Sequence, residues 1–304
     1  MTIVKSLSVG NGDLFYIKHG TDNFSIIDCS LPYDRKDEII AELKDVSKNK
    51  GIQRFISTHP DEDHIHGLEH LDDAGLGWNF YVVRNNVPKD DETPSFKRYR
   101  KLHDDEQRAY YIYRGCQRRW MNLSDDERGA AGIDILWPDT TDRDFIDQLI
   151  EAERNGKPNN ISPIIQYSLQ DGAVVIWMGD LETDFMEAIA DKIKLPKADI
   201  LFAPHHGRKS GRVPKKWLDA MDPKIIVVGE APSEDLTYYS GYDTITQNNS
   251  GDIEFECEEG QVHVRVSSLS YKVSYLHNMG KGHRKLFNGD YVWYIGSLYT
   301  HNQP

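Results

Sequence analysis

Cysteine is scarce in this chain of 304 residues, and the few present exclude two chemistries. Cys29, Cys116 and Cys257 are odd in number, widely spaced and outside any Cys-x-x-Cys pair. Neither a disulfide framework nor a thiolate zinc site is therefore expected. Long apolar runs are also missing. No stretch reaches the length of a membrane span or a signal core, and Met1-Thr2-Ile3-Val4-Lys5 leads straight into strand-like sequence. The resulting expectation is a soluble, cytoplasmic protein without a membrane partner. Positive charge is in deficit, with 36 Lys+Arg against 49 Asp+Glu and a formal charge of -13. That balance argues against general coating of nucleic acid, although carboxylates gathered at a metal centre inflate the figure without repelling a polyanion once cations are bound.

At 38% hydrophobic content the chain can bury a full-sized core. Short strand-like runs alternate with helical ones. Ile3-Val4, Leu14 to Ile17 and Phe24 to Ile27 read as a meander, with turns at Gly10-Asn11-Gly12 and His19 to Asp22. Asp34 to Ser47, with Ile39, Ile40 and Leu43 on one face, reads as an amphipathic helix, and Phe55-Ile56 as the next strand. The order then recurs more loosely. Strands are expected at Ile133 to Leu136, Ile164 to Tyr167, Ala173 to Trp177, Ile200 to Phe202 and Ile225 to Val228, with helices at Asp184 to Lys194 and Lys215 to Met221. Mixed strands with helices on their outer faces imply an α/β fold, a layered αββα sandwich.

Two stretches depart from this pattern. Residues 86–130 are polar, aromatic and helix-prone, and between positions 97 and 119 eight Lys/Arg face only three acidic residues, Asp104, Asp105 and Glu106. Lys97, Arg98, Arg100 and Lys101 head this basic island, and Tyr110, Tyr111 and Tyr113 follow. It reads equally as a solvated helical face or as a polyanion-binding insertion, in which those four cations would contact nucleic acid. Residues 268–304 alternate aromatic and polar residues and are expected to add a short β extension packed on a main domain spanning 1–267.

The chemistry concentrates behind the apolar strands. Phe55-Ile56 delivers the chain to Ser57-Thr58-His59-Pro60-Asp61-Glu62-Asp63-His64-Ile65-His66-Gly67. In an extended loop His59, Asp61 and Asp63 would point one way, with His64 adjacent, a set that is costly unless cations satisfy it. Val174 to Trp177 is followed by Gly179-Asp180, and Ile200 to Phe202 by Ala203-Pro204-His205-His206-Gly207-Arg208-Lys209-Ser210. Three strand ends thus carry potential ligands of one kind, where a rigid sheet can hold short side chains in register.

The succession H-x-D-x-D-H-x-x-G, G-D and H-H-G-x-x-S resembles the metallo-β-lactamase superfamily, and within it the hydrolase domain of the competence protein ComEC and its stand-alone relatives. Supporting marks are Val9 to Asp13, Ile27-Asp28-Cys29, Asn159 to Ser162 and Thr246 to Ile253. The resemblance covers about residues 1–266, omits the island and leaves the tail unmatched. It implies a centre of two divalent metal ions, Mn or Zn, with His59 and Asp61 on the first, Asp63 and His64 on the second, Asp180 bridging, and His205 completing the second. His206 is the alternative for that last place. Asp28 and Asp13 would support the ligands from behind, Asp28 being equally readable as a polar strand terminus. Asn160, Lys209 and Ser210 would face the substrate, with turn-forming roles open for Asn160 and Ser210.

The sequence departs from the broader superfamily in having Asp61 where His is usual, and Asn159 to Ser162 where a further His ligand is usual. A harder, more anionic first site follows, which favours Mn²⁺ over Zn²⁺ or permits a loosely held first metal. Two metals would generate a bridging hydroxide near neutral pH, Asp63 would orient it and Lys209 would neutralise developing charge, making Asp63 and Lys209 the catalytic pair. The expected function is a metal-dependent hydrolase, a phosphodiesterase or nuclease acting on DNA. Hydrolysis of a smaller phosphoester or other ester, and a metal-stabilised binding module with little turnover, are the alternatives.

Overall fold

The computed structural model describes residues 1–302, and within them the chain forms two facing sheets with helices outside. The first half contributes β1 (Thr2–Ser6), β2 (Phe15–Lys18), β3 (Asn23–Ile27), the short β4 (Cys29–Ser30), α1 (Lys36–Ser47), β5 (Ile52–Ser57), α2 (Glu62–Ile65), α3 (Leu68–Asp73), β6 (Asn79–Val82), α4 (Pro94–His103) and β7 (Ala109–Tyr111). The second contributes β8 (Ile133–Trp137), α5 (Arg143–Asn155), β9 (Ile164–Ser168), β10 (Val174–Trp177), α6 (Thr183–Ala188), β11 (Ile200–Phe202), α7 (Lys215–Met221), β12 (Ile225–Val228), β13 (Thr244–Thr246) and α8 (Gln247–Ser250). The chain closes with β14 (Ile253–Glu258), β15 (Gln261–Val266), β16 (Arg284–Lys285) and β17 (Tyr291–Tyr299). One sheet runs β16-β17-β15-β14-β1-β2-β3-β5-β6-β7 and the other β13-β12-β11-β10-β9-β8. This is the αββα sandwich the alternation implied. No helix among the described residues is long and apolar enough to cross a membrane.

Period-two alternation decides which side chains enter the space between the sheets. Val4, Phe15, Ile17, Ile27 and Ile56 of the first sheet pack with Val175, Trp177, Ile200 and Phe202 of the second. Their neighbours Ile3, Tyr16, Phe24, Ile26 and Phe55 point outward to α1, α3 and α4. Directly below the strand ends that carry the acids and imidazoles, Phe15 meets Phe202 at 4.7 Å between ring centroids, and Trp177 stacks on Phe202 at 5.1 Å. These aromatics join the two sheets where the loops of both must meet.

Strand direction brings those loops to one edge. β3 and β5 are parallel, as are β10 and β11, so residues just past each strand emerge on the same side. β1 shares that direction, being antiparallel to β2, which is antiparallel to β3, and the loop after it carries Asp13 to the same edge.

Several elements differ from their expected form. The helix expected over 184–194 stops at Ala188, and Lys192 turns away to Asp142 and Asp144 at 2.7 Å from each. α5 lies outside the expected helices, although Phe145, Leu149 and Ala152 recur at helical spacing and its ends are marked: Asp142 caps the N-terminus by accepting from Asp144 N, and Gly156 adopts the left-handed conformation at the C-terminus. The 86–130 stretch holds a single longer helix, α4, and then a strand, β7, that adds to the first sheet beside β6. Buried Arg54 of β5 ties this stretch to the core, donating to Asn23 Oδ1 at 2.6 Å and Trp120 O at 3.0 Å. Of the 268–304 stretch, whose last two positions lie outside the described residues, β17 joins the first sheet by pairing with β15.

A buried ion pair locks α1 to the middle of the first sheet. Lys5 Nζ lies 2.5 Å from Glu42 Oε1, which also accepts from Tyr16 Oη at 2.8 Å. Removing one member of such a pair strands the other, at a cost of about 3–5 kcal/mol. Glu42→Leu is therefore expected to lower the unfolding free energy by about that amount, and Lys5→Met combined with it to recover part of the loss. Denaturant unfolding of the two variants measures the difference. Equal loss in both would show the pair to be uncoupled.

Candidate metal centre

Asp28 organises the edge where the strands end. It follows β3 in a left-handed conformation (φ 56°), accessible to Asp at modest cost. Its buried carboxylate accepts from Thr58 N at 2.7 Å and Thr58 Oγ1 at 2.6 Å, and bonds His64 Nδ1 at 2.9 Å. Because the Thr58 hydroxyl donates to Asp28, its lone pairs face His59 Nδ1 at 3.0 Å, with Ser162 Oγ also near that nitrogen at 3.2 Å. These contacts place the ring protons of both His59 and His64 on Nδ1. Each Nε2 is left with its lone pair turned inward.

His206 repeats the arrangement, with Nδ1 3.2 Å from Asp13 Oδ1 and Nε2 directed to the same space. It and His205 both sit in the left-handed region, φ 55° and 51°, a strain of about 1–3 kcal/mol each that recurs at functional sites. Asp180 arrives on the second sheet, after Gly179. A Cβ on Gly179 would meet Thr58 and Ser162 atoms at 2.8 Å and less, so only glycine lets β10 bring Asp180 this close to the first sheet's loop.

The result is a buried pocket whose polar atoms lack partners. His59 Nε2, His64 Nε2, His206 Nε2 and Asp180 Oδ1 are all buried, and none makes a hydrogen bond. His64 Nε2 lies 3.1 Å from Asp180 Oδ1 without hydrogen-bond geometry, His59 Nε2 lies 3.8 Å from Asp180 Oδ2, and His206 Nε2 lies 3.4 Å from Asp63 Oδ2. Asp13, His64, Asp180 and His206 offer atoms that all fall within 4.8 Å of one another. Buried polar groups are ordinarily paired. Three inward imidazole lone pairs and a carboxylate, each braced from behind, fit a divalent transition metal.

Of the expected site residues, His59, Asp63, His64 and Asp180 converge. His205 and His206 both approach Asp180, at 3.7 and 3.9 Å from Oδ2, but only His206 is unpartnered and buried; His205 is partly exposed and bonds Ser210 Oγ at 2.9 Å through Nδ1. Asp63 and His64 do not continue an extended loop: α2 begins at Glu62, so a helical turn presents them, while Asp61 remains extended before it. Asp61 lies 3.8 Å from His59 Nε2 and is in contact with Lys89. Asn160 is turned away from the pocket. Its amide donates to Gln148 at 2.9 Å and its oxygen accepts from Glu182 N at 3.0 Å, holding the loop after Asp180.

Lys209 and Ser210 are exposed and line a cleft of about 760 Å³ with Arg208, Arg212, Asp235 and Tyr238. The two arginines escaped the sequence reading because nothing in their spacing marks them. Of the island cations, Arg98 is engaged by Asp72 and Asp73, and Arg100 faces Glu92 at 3.7 Å. Lys97 and Lys101 are exposed on α4, whose N-terminal Thr93 bonds Glu62 beside the pocket. Tyr110 and Tyr111 hydroxyls donate to Gln117 O and His103 O, leaving Tyr113 the exposed member of the three.

Comparison with solved structures finds weak likenesses to 28 chains, among them the following three. Igni18, a metallo hydrolase from the hyperthermophilic archaeon Ignicoccus hospitalis, aligns over 84% of this chain and 99% of its own, at 17% identity and TM-score 0.45. A protein from Thermotoga maritima described by inference as a Zn-dependent hydrolase of the metallo-β-lactamase superfamily aligns over 77% of this chain and 78% of its own, at 14% identity and TM-score 0.34. CmlA, a diiron β-hydroxylase from Streptomyces venezuelae, aligns over 75% of this chain and 44% of its own, at 14% identity and TM-score 0.40. No protein-family model matches the sequence, and no curated protein matches it.

Without metal, protons take the place of the cation. Burial works against charge on His206, but Asp13 and Asp63 outweigh it and push its pKa up to about 10. Burial would raise Asp63, but the approach of His206 and the charge of His64 bring it down to about 2. His59 is held well below the usual imidazole range by burial and by His64. The stabilisation from His206 is thus full below its unfolded value of about 6.5 and lost as pH rises through about 10. That from Asp63 is present above its unfolded value of about 3.9 and lost as pH falls through about 2. Metal must displace the imidazole proton. The gap in melting temperature between metal-loaded and chelator-treated protein is therefore expected to widen from pH 6 to pH 9, as scanning calorimetry would read. A gap independent of pH would show that these imidazoles are not displaced.

Proposed function

We propose that this chain is a metal-dependent hydrolase of the metallo-β-lactamase superfamily, related to the ComEC hydrolase domain and acting on phosphodiesters, with DNA as the leading substrate. The observation that carries the metal-dependent part is the set of four buried, unpartnered polar atoms on His59, His64, Asp180 and His206. The phosphodiester part is supported by the H-x-D-x-D-H form of the first motif and by the cleft beside the pocket, where Lys209, Arg208 and Arg212 supply positive charge. Mn²⁺ or Zn²⁺ is the metal this donor set suits.

When bound, the metal supplies a Lewis acid and a water activated near neutral pH. The chain's own residues do the rest. Asp63, partly exposed and held ionised, orients the attacking water by accepting a hydrogen bond from it. Lys209 neutralises charge on the non-bridging oxygens, and Arg208 and Arg212 seat the flanking anionic group. Asn160 keeps the Asp180–Glu182 loop in place. On a nucleic-acid strand, Lys97 and Lys101 extend this charge away from the pocket along α4. A second reading, a smaller phosphoester, is favoured by the internal pairing of Arg98, Arg108 and Arg119 with aspartates, which removes much of the island's free charge.

Purified protein supplied with Mn²⁺, Zn²⁺ or Mg²⁺ and offered single-stranded DNA, duplex DNA and bis(p-nitrophenyl) phosphate separates these readings. Cleavage of DNA supports the first, cleavage of the small ester alone the second, and no cleavage of any with metal bound returns the chain to a binding module. Lys209→Ala is expected to lower kcat/KM on the small diester by about 10²-fold with metal content unchanged, the scale of one missing electrostatic donor. Unaltered kinetics would remove Lys209 from the site. Lys97→Glu with Lys101→Glu is expected to raise KM for DNA and flatten its salt dependence, by a slope of about 0.7 for each single-strand phosphate that is no longer neutralised. The small diester should be hydrolysed as before; an equal fall on both substrates would mean that α4 supports the pocket structurally.

A further inference from the structure

The two halves of the expected two-metal centre are not equally built. On one side His64, Asp180 and His206 offer atoms within 4.8 Å of one another, and His64 and His206 are each braced by a carboxylate, Asp28 and Asp13. On the other, His59 Nε2 has Asp61 and the shared Asp180 at 3.8 Å each, and no further imidazole beyond those of the first side. Where a further imidazole would be needed, the chain has Ser162, and its hydroxyl is occupied by His59 Nδ1 and by Asp180 N at 3.2 Å. Asn159 and Asn160 turn their amides to Glu182. Asp61, the remaining donor, carries a cation already: Lys89 Nζ is in contact with its Oδ1.

Lys89 is not a chance arrival. The loop that carries it is clamped at both ends, by Asn86 N donating to Glu153 Oε1 at 2.9 Å and by Thr93 Oγ1 donating to Glu62 Oε2 at 2.8 Å. Repulsion points the same way. A second divalent ion against Asp61 would sit beside the ammonium, with like charges on one carboxylate.

We propose that Lys89 takes the place of one metal, so that the centre retains a single divalent ion, held by His64, His206 and Asp180, and Asp61 is the counter-ion of Lys89. This inference rests on the metal-centre reading given above. It makes Lys89 the residue that sets metal number, and its loop the element to change when a two-metal centre is wanted.

The test counts metal and needs no turnover. Metal-depleted protein is dialysed against micromolar Mn²⁺ or Zn²⁺ and the bound ion is counted by mass spectrometry of the digested protein. The wild type is expected to retain one equivalent, Lys89→Arg one, and Lys89→Met two. Asp61→Asn, with Lys89 intact, is expected to keep its one equivalent at unchanged affinity, and circular dichroism confirms that each variant is folded. Two equivalents of similar affinity in the wild type overturn the proposal and leave the metal-centre reading standing. So does a Lys89→Met variant that stays at one, or an Asp61→Asn variant that loses its metal. No retained metal in the wild type overturns the metal-centre reading itself and this inference with it.

Discussion

The Asp28 carboxylate is the constraint on which the site depends. One side chain at the end of β3 fixes the backbone after β5 through Thr58, sets the tautomer of His64 directly and that of His59 through the Thr58 hydroxyl. Burial alone pushes the Asp28 pKa upward, and His64 and Thr58 act against that shift. A carboxylate so placed remains charged only while its partners stay. The pocket and its support are therefore coupled: loss of Asp28 would release two imidazoles at once, and the parallel alignment of β3 with β5 is what brings the three residues within reach.

The second sheet supplies the other half by the same device with different parts. β10 and β11 run parallel and deliver Asp180 and His206, with Gly179 allowing the approach and two left-handed histidines redirecting the chain. The aromatic contact of Phe15, Trp177 and Phe202 lies under the junction and sets the spacing between the sheets. Neither sheet alone holds a complete set of donors. The chemistry belongs to the interface, and the hydrophobic layer that joins the sheets positions it.

Electrostatics around the pocket are local. The chain is strongly acidic, yet its basic residues near the candidate site fall into two groups with different duties. Arg98, Arg108 and Arg128 are bound to Asp72, Asp73 and Asp22 and fasten the 86–130 stretch to its surroundings, and Arg119 is bound to Asp125 within it. Lys209, with Lys97 and Lys101, stays exposed on the same side of the molecule as the strand ends or along the helix that starts there. Counting charges along the sequence merges the two groups, because an arginine that is neutralised by an aspartate 26 residues away in the chain looks the same as a free one.

By itself the sequence determined the alternation of strands and helices, and hence the layered sandwich, because burial periodicity is a local property of the chain. It also determined that His59, Asp63, His64 and Asp180 sit just beyond apolar strands, since strand ends can be read without knowing which strands are neighbours. What only the tertiary structure decided were relations between distant segments. The different surroundings of the adjacent His205 and His206 turned on Ser210 for the first and, for the second, on Asp13, nearly two hundred residues earlier in the chain. The fate of Asn160 turned on Gln148 and Glu182, and that of Asp61 on Lys89, for which no motif exists. The physical reason is the same in each case: a polar side chain takes its role from whichever partner the fold brings to hydrogen-bonding distance, and that partner is set by packing and not by spacing along the chain.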